Sequence, residues 1–529
     1  MRVVGFVFTL GCAQAVFASG VWKMTWSDYQ DRVQAAWTAQ IVATLMGLPF
    51  EGRVSSSRQV WVTGYPARGP RSPLELGWAP VDDDYYYELV ALRAFERYGP
   101  HMSLDELGEQ WKENSAGSWG SSEQTRWLLA RGIPGSQTGH PRYNRWWWTI
   151  GPQFSADLYG MIAPGDPNLA AQLASRYGRI NGHAEAVDGA VFIAGMVSLA
   201  FREKDPRQIV REAARLIPAS SPYRQCLNLM LALAEEGRSE VDVLQAIQDR
   251  WRFEYPAINN AVANGGLVAA SVWFGEGDFL KTVNVAFRAG DFSDADCNAA
   301  NAAAVVGAMH GMKGLPASLV EVLNDRIRGA EMGGVQLTPP VDERISDIAH
   351  RIAALGRKIL AANGHKAGKE LLEVTYQPAR EYSGERFQLA DLMQLWNPDW
   401  RLERAGFGGY RGTNCTRLTY LDGEILATWP RDESRGLVLR RTLRLPTNAR
   451  LELEVGADKG CAWHLDVFVD NSQVFTTLVE GAGQARSWQT VQVDLTEFAG
   501  REVEIRLIQR TLIPGRIAGN AYWRNLRVR

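Results

Sequence analysis

The sequence predicts a multidomain chain: an all-α body followed by a C-terminal antiparallel β-sandwich. Three observations predict it. From about Trp26 to Leu372, apolar residues recur at helical spacing. From about Leu437, they alternate with polar residues. Near Val374 the texture changes from one to the other. Helices and strands segregated along a chain mark separate domains. A length of 529 residues also exceeds what one core usually holds.

Residues 1–18 read as a signal peptide. Arg2 supplies the positive end, residues 3–10 a short apolar core, and Val16 and Ala18 a small-residue cleavage site. A buried N-terminal strand is the other reading. A signal peptide places the mature chain outside the cytoplasm, secreted or periplasmic. No later run reaches about 18 uninterrupted apolar residues, so no transmembrane segment is expected.

Residues 19–375 form the helical body. DRVQAAWTAQIVATLMGL, YELVALRAFERYG, PNLAAQLASRYG, AVDGAVFIAGMVSLAF and PRQIVREAARLI all carry helical periodicity. Many are apolar on most faces, as buried helices are. The 52–80 connection is long and rich in Gly, Pro, Ser and Arg, and long loops often carry function. The stretch PRYNRWWWTIGPQ carries Trp146, Trp147 and Trp148, which either stack on a base or sugar ring or, as such residues more often do, pack in the core. Residues 376–400 form a linker. Residues 401–529 give short alternating runs such as ARLELEVGAD, AWHLDVFVDN and REVEIRLIQR, separated by turn residues. HLDVFVDN, DLTEFAG and AYWRNLRV look like a galactose-binding-type jelly roll. Such a sandwich is either an accessory domain or a plug packed on the body.

The 57 basic and 59 acidic residues nearly cancel, so nucleic acid is not an expected partner. Five cysteines exclude a disulfide scaffold. Cys415 and Cys461 either pair in an oxidising compartment or stay as small apolar residues.

The stretch GDFSDADCNAANAAAVVGAMHGMKG places Asp294 and Asp296 at the mouth of a small-residue helix. Asp-x-Asp there offers oxygen ligands to a hard cation, and Ala and Gly let helix backbones approach closely. A second cluster, Asp82, Asp83 and Asp84, precedes another helix. Three adjacent carboxylates repel unless a cation or a helix N-terminus compensates. Ordinary helix capping explains either cluster alone. Both together suit a metal site, since two-metal sites draw carboxylates from separated segments.

These motifs resemble those of the ADP-ribosylglycohydrolase family. Its late signature, roughly Gly-x-Asp-x-Asp-Thr/Ser-x-Ala-Ala, stands here as Ser293-Asp294-Ala295-Asp296-Cys297-Asn298-Ala299-Ala300. Its Thr/Ser-Asp-Asp signature matches Asp82-Asp83-Asp84. Its N-terminal Gly-Asp turn falls on Ala43-Thr44-Leu45-Met46-Gly47-Leu48-Pro49-Phe50-Glu51. The resemblance implies an all-α fold and one or two Mg²⁺ ions, with Mn²⁺ as the other candidate. It implies Asp82, Asp83, Asp84, Asp294 and Asp296 as ligands. It makes Glu51, Asp83 and Asp294 candidate catalytic carboxylates, and Gln153, Asp157 and His183 candidate substrate-binding residues. Three motifs depart from the pattern: Ala43-Thr44 stands for Gly-Asp, Tyr85 for a hydroxyl residue, and Cys297 for Thr or Ser. A thiol is a poor Mg²⁺ ligand. The departures look like features of a divergent, secreted branch.

The expected activity is metal-dependent hydrolysis of a glycosidic bond through a transition state with oxocarbenium character. Three readings follow. One is removal of ADP-ribose or a related glycosyl group from a small molecule or a modified acceptor. The second is a secreted glycosidase acting on an extracellular poly- or oligosaccharide. The third is a protein that binds ADP-ribose or a glycan without cleaving it. The sequence carries no signal for oligomeric state.

Overall fold

The computed structural model describes residues 20–52, 58–251, 257–406, 416–419, 425–482 and 487–529. The signal-peptide segment and Cys415 lie outside the described residues.

Strand β1 (Gly20–Thr25) leads into α1 (Trp26–Gly47), whose N-cap Thr25 accepts a hydrogen bond from the Asp28 amide. The body then winds through α2 (Asp83–Tyr98), α3 (Gly120–Ala130), α4 (Glu185–Ala200), α5 (Ala261–Gly275) and α6 (Ala295–His310). Further helices fill the spaces between them. All residues of α4 are buried, and so are all of α6 but His310. That is what a helix apolar or small on every face does.

The pair α1 and α6 is the axis of the body. Small residues let the two backbones nearly touch. A Cβ on Gly307 would sit 2.6 Å from the backbone of Ala35 and Ala36, and one on Gly47 would sit 2.6 Å from the Asp296 Cα.

The run from 26 to 372 is not helical throughout. A hairpin of β2 (Arg326–Met332) and β3 (Val335–Arg344) interrupts it before α7 (Ile345–Ala362). Gly333 and Gly334, both with positive φ, make its turn, a conformation glycine adopts without steric cost. Ile327, Leu337 and Val341 are buried, a sparse two-residue periodicity that the surrounding helical signal hides. Strand β4 (Leu371–Tyr376) returns to pair antiparallel with β1, so the body closes on its own first strand.

The 376–400 segment is more than a spacer. Arg386 forks two hydrogen bonds of 2.6 and 2.9 Å onto buried Asp188 in α4, and the Tyr382 hydroxyl donates to the same carboxylate. A helix, α8 (Leu389–Trp396), then leads to the sandwich. Its strands are β5 (Arg401–Glu403), β6 (Arg417–Thr419), β7 (Ile425–Thr428), β8 (Leu437–Arg444), β9 (Arg450–Ala457), β10 (Ala462–Val469), β11 (Ser472–Glu480), β12 (Gln489–Asp494), β13 (Glu502–Arg510) and β14 (Ala521–Val528). They form two five-stranded antiparallel sheets, ordered β11-β10-β13-β8-β5 and β12-β9-β14-β7-β6. Trp463 and Trp523 meet between the sheets with ring centroids 4.9 Å apart. The Trp523 indole donates to Thr428, whose hydroxyl donates to buried Gln509 on the facing sheet. The β-sandwich is the fold that the alternating pattern predicts. Among the described residues no helix is long and apolar enough to cross a membrane.

The contact at Gly307 decides the sign of a simple substitution. Gly to Ala in a helix interior ordinarily stabilises by about 1 kcal/mol. Here the added methyl meets backbone that cannot swing aside, and overpacking of this kind costs about 1–3 kcal/mol. Gly307→Ala is expected to lower Tm in a thermal melt; a raised Tm would contradict this packing.

Candidate metal centre

Two helix N-termini bring the carboxylates together. Asp82 is the N-cap of α2 and accepts a 2.8 Å hydrogen bond from the Asp83 amide. Asp83 and Asp84 follow in the first turn, where the helix dipole favours negative charge. Asp294 is the N-cap of α6, but its carboxylate makes no capping bond. Asn264 on α5 substitutes for it in part. The Asn264 Oδ1 accepts from the Asp294 amide at 3.1 Å and from the Asn298 side chain at 2.7 Å. Asp296 follows two residues on, held against Gly47 at the end of α1. Thr44, one turn earlier in α1, donates to Asp84 Oδ2 at 2.8 Å. Three helices therefore fix the cluster, and α5 braces it.

The result is a cavity of about 360 Å³ lined by Glu51, Asp82, Asp83, Asp294, Asp296 and Cys297, with Arg71, Trp119, Ser121 and Asn259 on its other walls. Ligand atoms of Asp294, Asp296 and Cys297 all lie within 4.8 Å of one another. Asp84 is fully buried beneath. Asp84 Oδ1 and Asp296 Oδ1 are buried oxygens that no hydrogen-bond donor reaches. A buried carboxylate oxygen without a partner is costly.

The electrostatics follow from that crowding. Burial, then repulsion from Asp296, pushes the Asp83 carboxyl up to about 7, against the opposing pull of Arg71. Burial, then Asp296 and Asp83, pushes Asp84 well above the ordinary carboxylate range, although hydrogen bonds from Cys297 and Thr44 pull it back. Asp294 is raised by burial and by the charges of Asp296 and Glu51. Asp296 is raised by burial. Arg71 ion-pairs with Asp82 and offsets one charge. An oxygen-rich pocket with orphaned acceptors and mutually repelling acids fits a divalent cation.

The other residues singled out from the sequence fall in different places. Glu51 is exposed on the cavity wall. Gln153 and Asp157 are fully buried and are not among the lining residues. Gln153 Oε1 accepts from the Tyr223 hydroxyl at 3.0 Å, and Asp157 accepts from Asn301 at 2.7 Å. His183 lines a separate cavity, with its Nδ1 3.3 Å from Glu385. Burial, with His140, Arg179 and Arg386 nearby, pushes its pKa down to about 3, so it is neutral at physiological pH. Trp147 and Trp148 are buried in the core. Arg71 and Trp119 carry no such sequence signal. Arg71 comes from the Arg-rich 52–80 connection. Trp119 is 45% exposed at the cavity wall, its ring braced by the Gly333 turn of the hairpin.

A mainly helical body thus aims paired carboxylates from two helix starts into one cavity. The ADP-ribosylglycohydrolase family model matches residues 25–359, and the chain belongs to that family. Members of that family are typically metal-dependent. A solved ADP-ribosylglycohydrolase-related protein complex is 17% identical, covers 63% of this chain and 99% of its own, and has a TM-score of 0.44. Over a smaller part, the adhesin domain of Lys-gingipain from Porphyromonas gingivalis is 9% identical, covering 25% of this chain and 92% of its own at a TM-score of 0.20. A solved CBM4 structure is 18% identical, covering 26% and 89% at a TM-score of 0.17. No curated protein matches.

The shifted carboxylates give a stability signature. Asp83 rises from 3.8 to about 7 in the fold, so its contribution is full below about 3.8 and lost as pH rises through about 7. Without divalent ions, Tm is expected to fall across that window. Asp83→Asn flattens that part of the slope, and Mg²⁺ or Mn²⁺ raises Tm most at the alkaline end. A wild-type slope unchanged by the substitution would contradict this account.

Proposed function

We propose that this chain hydrolyses a glycosidic bond, removing ADP-ribose or a related glycosyl group, with one or two divalent cations held in the acidic cavity. The observation that carries this reading is the cavity itself, where acids from two helix starts converge around buried oxygens that lack donors. Asp82, Asp83, Asp84, Asp294 and Asp296 would hold the cation. When bound, it supplies charge neutralisation, anchors sugar hydroxyls and acidifies water.

The chain's own residues do the rest. Glu51, on the cavity wall, accepts the attacking water's proton as the bond to the leaving group breaks. Asp83 and Asp294 are the neighbouring carboxylates that offset the positive charge developing at the anomeric carbon. Arg71 holds Asp82 in place through its ion pair. The helical region, residues 19–375, is the catalytic domain, residues 376–400 link it onward, and residues 401–529 are an accessory domain. Gln153 and Asp157 support the cavity from behind rather than touching substrate.

One observation favours a second substrate class. A β-sandwich appended to the body, with a half-exposed tryptophan on the cavity wall, suits a neutral glycan handled outside the cytoplasm. The proposed signal peptide points the same way.

A turnover screen across ADP-ribosyl substrates and plant and algal glycans separates these readings. Release of ADP-ribose alone removes the glycan reading. Binding without turnover in either panel replaces hydrolysis with recognition. Within the hydrolase reading, Glu51→Gln is expected to lower kcat by about 10²–10⁴-fold while calorimetric metal affinity is kept. Asp296→Ala is expected to abolish metal binding; unaltered binding would refute the proposed centre.

A further inference from the structure

We infer that Cys297 is itself a metal ligand, and that its thiolate turns the site from Mg²⁺ toward a divalent transition metal such as Zn²⁺ or Co²⁺. The inference rests on the metal-centre reading of the same cavity, and it concerns which ion that centre selects.

The position of the sulfur is the decisive feature. Cys297 lies in the first turn of α6, directly after Asp296, and lines the cavity with the carboxylates. Its Sγ lies within 4.8 Å of ligand oxygens from both Asp294 and Asp296. The sulfur opens into the cavity that Asp82 and Asp83 of α2 share with Asp294 and Asp296 of α6, the place where a shared cation would sit. Asp296, only 4% exposed, belongs to the same ligand group, and its buried Oδ1 has no donor.

The contrast with Cys226 shows what a packing cysteine looks like in this fold. Cys226 is fully buried, and its Sγ lies against Gly266 on α5, where a Cβ would approach it to 2.6 Å. A Cβ on Gly266 would also come within 3.3 Å of Ile247, so Cys226 and Ile247 fill space against the same point of α5. Cys297 instead faces acids. Filling space does not require a sulfur among carboxylates.

The chemistry follows from ligand softness. Carboxylates and hydroxyls suit Mg²⁺ and Mn²⁺, whereas thiolate selects softer or borderline ions such as Zn²⁺. Ligation replaces the sulfhydryl proton by the metal, and that proton leaves to solvent. The cation's own charge supports the negative sulfur, because burial and the neighbouring acids Asp294, Asp84, Asp296 and Asp83 push the free thiol well above its ordinary range. Asp294, Asp296 and Cys297 together make a mixed oxygen and sulfur donor set that a Thr or Ser at position 297 would not.

Cobalt reports the sulfur directly. The full chain, stripped with a chelator and kept reduced, is titrated with Co²⁺ and followed by absorption. Wild type is expected to show a near-ultraviolet sulfur-to-cobalt charge-transfer band together with weak visible ligand-field bands. Cys297→Ser should lose the first and keep the second; Cys226→Ser should keep both. Excess Mg²⁺ should displace Co²⁺ more readily from Cys297→Ser than from wild type. Circular dichroism and a thermal melt establish that each variant folds, and Cys297→Ala serves if the serine variant does not. Ligand-field bands without a charge-transfer band in wild type would overturn the thiolate ligand and leave the metal centre standing. No binding of Co²⁺, Mg²⁺ or Mn²⁺ at all would remove both.

Discussion

The helical body is organised around a repulsion it does not itself cancel. Acids from two helix starts are held in one pocket, and burial raises the carboxyls of Asp83, Asp84, Asp294 and Asp296. Arg71 offsets one of these charges, and Thr44, Cys297 and the helix N-termini offset part of the rest. A fold tolerates such crowding only where the surrounding packing over-determines it. The close contact of α1 with α6 supplies that rigidity, because backbone in contact with backbone leaves no side chain to yield. Small residues in the second half of α6 thus serve the acids in its first turn.

The same rigidity explains how the helices divide the work. α6 presents Asp294, Asp296 and Cys297, α2 presents Asp82 to Asp84, and α1 contributes the end that both lean on. Asn264 matters through its position alone, taking two donors at the entry to α6. Behind this layer, Glu88 accepts from Gln40 at 2.9 Å and from the Leu158 amide at 2.8 Å, and Asp157 accepts from Asn301. Burial raises both of these acids, Glu88 to about 8, so polarity extends inward from the cavity floor.

The acids were legible in the sequence because their positions are local. A carboxylate just ahead of a helical run announces an N-terminus, and two such announcements suffice to expect a meeting. The sandwich was legible for a similar reason, since alternation is written residue by residue. Arg71 and Trp119 were not, because each reaches the cavity only through tertiary folding: the first by the course of a long connection, the second by the hairpin turn at Gly333. That hairpin was hidden as well, because its few buried residues leave little periodic signal beside strongly helical neighbours. Gln153, Asp157 and His183 show the limit of reading by analogy. Their chain positions suggest a pocket wall, yet buried partners, Tyr223 and Asn301, occupy the first two, and the third belongs to another cavity.

The strap that crosses α4 has an evolutionary consequence. Asp188 is fully buried, and beyond Ser221 its partners are Tyr382 and Arg386, which come from past the last strand of the body. Phe387 then packs its ring against Trp147. A gene fusion or domain exchange that broke the chain just after Tyr376 would strand an ionised carboxylate in the protein interior, a loss of several kcal/mol. Recombination that preserves the helical body must therefore carry about ten residues of the downstream segment with it. The packing of the helical body thus runs past the family match at residue 359, through Arg386 and Phe387.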